Sequence, residues 1–153
     1  MMQNEDEHIY KSHNKSLLLY HFVFPAKYRV KVFSDTVDEK LREICIGISE
    51  RYEINFIEIG VDEDHVHFLV QSVPMYSVTQ LVKMIKSLTA CQLFASCPEL
   101  KKQLWGGNLW TSGYYVNTVG QYASKEVIQR YVAGQGKYRK LHEGQLVFEF
   151  DVL

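Results

Sequence analysis

Two histidines separated by one valine, His65-Val66-His67, are the residues of this chain best suited to chemistry. In an extended strand, residues i and i+2 point to the same side, so both imidazoles would project together while Val66 faces the other way. Two neighbouring imidazoles form half of a site for a divalent metal. The same spacing suits two partly exposed histidines with no ligand, and from the dipeptide alone that plainer reading is the commoner one. A second pair sits far along the chain: Tyr131 and Gln135 are four residues apart and share one face of a helix. The amide oxygen of Gln135 would supply a third, hard ligand and leave positions open for phosphate oxygens, with Tyr131 one turn away as a nucleophile. Against this stands the ordinary fate of a helical tyrosine, which is to be half-buried.

Cations that could meet a phosphate backbone occur in short groups. Lys27, Arg29 and Lys31 alternate with Tyr28, Val30 and Val32, so an extended segment would place all three on one side. Such a strip serves as a phosphate track or as a solvated edge with equal ease. Lys83 and Lys86 are three apart and therefore neighbours on a helix, and Lys137, Arg139 and Lys140 cluster again near the end. Asp62, Glu63 and Asp64 precede the histidines; three consecutive carboxylates cannot converge on one ion, which makes them a solvated loop. One of them could still orient a metal-bound imidazole from behind. Tyr114 and Tyr115 suit strand packing, and Trp105 and Trp110 suit the core better than base stacking.

The elements that must carry these residues follow from periodicity. Residues 17–24 form a dense apolar run closed by Pro25, a buried strand. Thr36 with Glu39 has the form of a capping box, and Val37, Leu41, Ile44, Cys45 and Ile48 then repeat at helical spacing to about Arg51. Residues 54–59 and 65–73 read as two strands of a hairpin joined by the acidic loop. Ser77 with Gln80 caps a second helix, marked by Val78, Leu81, Val82, Ile85 and Leu88 and running toward Cys97-Pro98. Gly106-Gly107 interrupts, residues 110–119 read as a further strand, and Ser124 caps a last helix over residues 125–135.

Strand, helix, strand, strand, helix, strand is the plan of an α+β, ferredoxin-like (RRM-like) fold: an antiparallel sheet with helices on one face and the other face free. The final helix is an addition to that plan, carrying the candidate nucleophile. One domain over residues 1–153 is expected, with residues 1–12 a loose N-terminus and 138–153 a tail or edge strand.

Composition bounds the function classes. With 46% hydrophobic and 23% charged residues the chain is globular rather than disordered. No apolar run approaches the roughly 20 residues that span a bilayer, and the acidic start is no targeting peptide, so a cytoplasmic protein without membrane contact is expected. Three cysteines without C-x-x-C spacing argue against disulfides or a cysteine zinc site. The formal net charge of -1 neither requires nor forbids nucleic acid, because phosphates need positive charge only where they run.

Taken in order, Phe22-x-x-Pro25-x-Lys27-Tyr28-Arg29, Asp64-His65-Val66-His67, Trp110, Tyr114-Tyr115-Val116-x-Thr118-Val119-Gly120 and Tyr131-x-x-x-Gln135 resemble the TnpA-type transposases. These are the small single-tyrosine HUH enzymes of bacterial and archaeal insertion sequences, and the resemblance covers roughly residues 17 to 137. It implies that His65, His67 and Gln135 bind Mg2+ or Mn2+ and that Tyr131 becomes linked to the 5′ phosphate of cleaved DNA. It also implies a homodimer acting on single-stranded DNA with hairpin ends, in some members with the tyrosine helix reaching the partner's histidines. Lys27, Arg29, Lys83 and Lys86 are then the candidate phosphate contacts. Two rivals differ in class: a non-catalytic RRM-like module binding single-stranded nucleic acid, indifferent to metal, and a metal phosphodiesterase that uses water and not Tyr131.

Overall fold

A computed structural model of the chain describes residues 7–119. Their elements are β1 (Ile9–Lys11), β2 (Asn14–Ser16), β3 (Leu18–Pro25), α1 (Asp35–Arg51), β4 (Asn55–Val61), β5 (His65–Ser72), α2 (Val78–Ser96), the short α3 (Leu100–Gln103) and β6 (Tyr115–Thr118). The main sheet runs β4-β5-β3-β6, with every neighbouring pair antiparallel. From β3 onward the order is βαββαβ with the first and third strands in the centre, which is the ferredoxin-like arrangement. The expected last helix, and the tail or edge strand beyond it, lie outside the described residues.

Both central strands are long and apolar because they are covered on both faces. Phe22, Phe24, Val66, Phe68 and Val70 point to one side and join Val37, Leu41, Ile44 and Ile48 of α1 and Leu81, Val82, Ile85 and Leu93 of α2 in the main core. The alternate residues, among them His21, Val23, His65, His67 and Leu69, therefore face away from the helices. That second face is not free as expected: Val23 and Leu69 are fully buried there, and His21, His65, His67 and Gln71 are buried with them.

α2 starts at the foreseen capping box. Ser77 Oγ accepts from the Gln80 amide at 3.1 Å and Gln80 Oε1 accepts from the Ser77 amide at 2.8 Å. α1 starts two residues earlier than foreseen. Ser34, in extended backbone, accepts from Val37 N at 3.3 Å, and Thr36 already lies inside the first turn. The Thr36–Glu39 pattern misled because Ser34 has no Glu or Gln three residues on; Asp35 and Asp38 instead favour the positive end of the helix dipole.

Two further expectations change, while Trp110 keeps the core position foreseen for it. Part of the loose N-terminus is a β1–β2 hairpin, tied down by Gln71 Nε2 donating to Glu7 O at 2.7 Å and by a Lys11–Glu53 ion pair. The strand foreseen over residues 110–119 is ordered as sheet only from Tyr115 to Thr118, while Trp110 makes a single bridge to Ala26. The Trp110 indole donates to Thr89 Oγ1 at 2.9 Å and packs against Phe33, so it belongs to the core.

The segment after Pro25 is not extended. Lys27–Arg29 forms a 3-10 turn in which Tyr28 and Arg29 have φ of 57° and 54°. Two consecutive left-handed side-chain-bearing residues are costly, and they persist because the surroundings fix them. Ala26 N donates to Asp64 O and Lys27 N to Leu109 O, both at 2.8 Å, and Arg29 N closes back on Ala26 O at 2.9 Å. These amides answer to loops on either side and not to a strand ladder, so the foreseen one-sided strip of cations does not form.

Candidate active site

β5 delivers both histidines to the face away from the helices, as the i, i+2 spacing requires. Their rings lie 5.1 Å apart, centroid to centroid, and their exposures are 2% for His65 and 0% for His67. Such burial sets them apart from idle surface histidines. A buried imidazole must have its polar edge answered.

His65 opens β5 beside the acidic turn, where Asp62 N donates to His65 O at 2.9 Å. Its Nδ1 lies 2.7 Å from Asp64 Oδ1. The same carboxylate accepts from Arg29, whose Nε donates to Oδ2 at 3.2 Å and whose Nη2 donates to Oδ1 at 3.4 Å. Burial raises the Asp64 pKa, but the hydrogen bonds from His65 and Arg29 outweigh it and hold the carboxyl below its ordinary range. A carboxylate there accepts a hydrogen bond from Nδ1–H, which puts the ring's lone pair on Nε2. Of the three acids, Asp64 is the one within hydrogen-bond distance of the His65 ring. Asp62 Oδ2 stands 3.7 Å from His65 Nε2, while Glu63 faces outward to Lys31.

His67 is held from the neighbouring strand. Its Nδ1 is 3.1 Å from His21 Nε2, and the two rings are within 17° of parallel. His21 Nδ1 lies 3.1 Å from Asn117 Oδ1 on β6. Burial lowers the His21 pKa to about 4, with the bond to Asn117 opposing that shift, so the ring is neutral at neutral pH. Tyr115 sets its ring edge-on to His21 at 6.2 Å.

His21 and Asn117 were not singled out from the sequence. A signal existed for His21: a lone imidazole inside an apolar strand run must find a polar partner. Asn117 occupied the unspecified position between Val116 and Thr118 and had no signal of its own. Tyr131 and Gln135 lie outside the described residues, and among the described residues no three His, Cys, Asp or Glu side chains converge as a metal site.

The four candidate phosphate contacts separate. Arg29 is committed to Asp64. Lys86 donates to the carbonyls of Thr111, Ser112 and Gly113 at 2.7, 3.3 and 3.1 Å and lies over the Phe24 and Tyr114 rings; burial lowers its pKa. It serves as a strut between α2 and the loop before β6. Lys27 and the exposed Lys83 line, with Lys86 and Trp110, a cleft of about 660 Å³ on the helix side. None of the three histidines lines that cleft, so the cleft and the imidazole cluster are different places.

Comparison with known proteins places this arrangement. A family model described as "Transposase IS200 like" matches residues 14–135. The chain is similar to the ISDra2 transposase TnpA of Deinococcus radiodurans, with 35% identity over 118 residues covering 77% of this chain and 84% of the relative. It is 29% identical to the transposase for insertion sequence element IS200 of Salmonella typhimurium over 132 residues, 86% of each chain. Among solved structures, a Deinococcus radiodurans chain described as a transposase aligns with a TM-score of 0.64 at 31% identity, covering 88% of this chain and 98% of that one. A REP-associated tyrosine transposase bound to a REP hairpin shares the fold, with a TM-score of 0.54 at 11% identity over 95% and 76% of the two chains.

Proposed function

Because the chain belongs to the IS200-like transposase family and is thus an enzyme acting on DNA, we propose that it cleaves and rejoins single-stranded DNA through a 5′-phosphotyrosine intermediate. The observation that carries this reading is the buried pair His65 and His67, each with its Nδ1 at hydrogen-bond distance from a second residue, so that Nε2 would be the nitrogen to meet a metal. Two imidazoles together with the amide oxygen of Gln135 are a donor set that suits Mn2+ or Mg2+ with phosphate oxygens completing the shell. When bound, the ion would draw charge from the scissile phosphate and ease departure of the 3′ oxygen.

Tyr131 is the nucleophile. Its oxygen forms the new bond to phosphorus as the P–O3′ bond breaks, and the phenolic proton passes, net, to the departing 3′ oxygen. A phenol with a pKa near 10 is a weak nucleophile at neutral pH, so it must attack an already polarised phosphate. The phosphotyrosine bond keeps the energy of the cleaved link, and a free 3′-OH reverses the step to join new partners. One tyrosine per subunit and two strand ends per excision call for a homodimer, acting in the cytoplasm on single strands with hairpin ends. Lys27 and Lys83, which line the cleft, contact phosphates, whereas Arg29 and Lys86 are bonded to Asp64 and to loop carbonyls.

The test is incubation of the full-length protein with single-stranded oligonucleotides from its own flanking DNA, with and without Mn2+. A covalent protein–DNA adduct that requires Mn2+ and vanishes in Tyr131→Phe is the expected result. Salt-sensitive binding with no adduct would favour a non-catalytic binding module, and free 5′ ends released by the Tyr131→Phe variant would favour a water-using phosphodiesterase.

A further inference from the structure

We propose that Asn117 and His21 form a hydrogen-bond relay that holds His67 in its Nδ1–H tautomer and so presents the Nε2 lone pair to the metal. The relay deepens the metal reading of His65 and His67 and rests on it for its purpose, though not for its geometry.

The proton positions follow from donor and acceptor chemistry. Asn117 Nδ2 donates to the Thr118 carbonyl at 3.2 Å, which identifies the other amide atom, facing His21 Nδ1 at 3.1 Å, as the oxygen. An amide oxygen only accepts, so the proton of that bond is on His21 Nδ1. A neutral imidazole carries one N–H, and His21 Nε2 is consequently an acceptor. His67 Nδ1, 3.1 Å away, must donate to it. The lone pair of His67 then resides on Nε2. The near-parallel planes of the two rings, 17° apart with centroids separated by 5.3 Å, set nitrogen edge to nitrogen edge as that bond needs.

The arrangement depends on sheet order. His21 lies on β3 between β5 and β6, and the register places Val23 opposite His67 and Asn117 opposite His21. One imidazole on the middle strand therefore reaches both neighbours on the same face. His21 and Asn117 are positioning residues; neither is assigned contact with DNA.

The decisive measurement is long-range 1H–15N NMR on metal-free, full-length protein with 15N-labelled histidine. His21 and His67 should both be Nδ1–H tautomers. Removing the acceptor, in His21→Leu, should weaken Mn2+ binding by about 10- to 100-fold, the usual cost of losing a residue that orients a ligand. His21→Gln offers an amide oxygen to the same Nδ1–H and should recover part of the loss, which a merely space-filling role would not give. If His21→Leu fails to fold, Asn117→Leu at the partly exposed β6 carries the test, with His67 expected to become a mixture of tautomers. A wild-type His67 with its proton on Nε2, or Mn2+ affinity unchanged in His21→Leu, would overturn the relay. His67 in the Nδ1–H form in a wild-type protein that ignores Mn2+ would leave the relay standing and remove the metal reading instead.

Discussion

The two histidines of β5 are two residues apart, yet they are anchored by different chemistry. His65 sits at the strand end and is held by charge: the Asp64 carboxylate, itself gripped by Arg29, with side chains 22% and 33% exposed. His67 sits inside the sheet and is held by neutral groups, His21 and then Asn117. Both routes set Nδ1 against a protein partner, and in the proposed reading Nε2 would then meet the metal. The difference teaches where each device is affordable: a carboxylate with an arginine partner tolerates the rim, where water screens and solvates it, but an ion pair beneath a fully buried ring would cost more in desolvation than it returns.

The largest expected effect treats the halves as equals. Replacing either His65 or His67 by Ala should lower Mn2+-dependent adduct formation by more than about 100-fold, beyond the range for supporting residues. If one replacement proved silent in a gel assay for the adduct, the pair would not be acting as one site.

Acid should separate them. In the metal-free protein, the neutral state of His21 contributes stability that is complete above its unfolded pKa of 6.5 and is lost as the pH falls toward about 4, by up to roughly 3 kcal/mol. Asp64, whose folded pKa is lowered, keeps its contribution above 3.8 and loses it only below. Urea unfolding between pH 7 and pH 3 should therefore reveal the interior half failing first, and His21→Gln should flatten the upper part of that decline.

Salt gives a smaller contrast. Arg29→Ala should weaken Mn2+ binding only a few-fold at low ionic strength, in keeping with a partly exposed pair, and less still near 1 M salt. The cost of Asn117→Leu should be the same at both salt concentrations, because no net charge is involved. Calorimetric titrations at two salt levels decide this.

The distinction between committed and exposed charge recurs on α2 with the smallest effect. Lys83→Ala should reduce DNA affinity a few-fold and lower the salt dependence by about one phosphate contact while leaving stability within about 0.5 kcal/mol. Lys86→Met, which strips three carbonyls of their donor, should instead lower the melting temperature. Equal effects of the two on DNA binding alone would contradict the strut assignment.

Much of this was legible in the linear chain because it depends on local spacing. Strand parity at His65 and His67, the Ser77–Gln80 box and the apolar repeats of α1 and α2 are short-range features, and they led to the element order and the two-imidazole half-site. The errors were also local readings, overruled by distant partners. Lys27, Arg29 and Lys31 alternate like a strand, yet the amides of Ala26 and Lys27 are claimed by Asp64 and Leu109. Ser34 caps α1 in place of Thr36 because the cap depends on where the backbone turns, not on the best-known motif.

What the sequence by itself determined, then, is which residues could do chemistry and which face of β5 would carry the imidazoles: side-chain type and a period of two suffice for that. Only the tertiary structure decided which nitrogen of each ring is turned toward a protein partner. That choice belongs to Asp64 with Arg29 on one side and His21 with Asn117 on the other. For His67 the partners lie 46 residues away and then, from His21, 96 residues away. A hydrogen bond across strands depends on sheet order and register, and no local pattern in the chain specifies either.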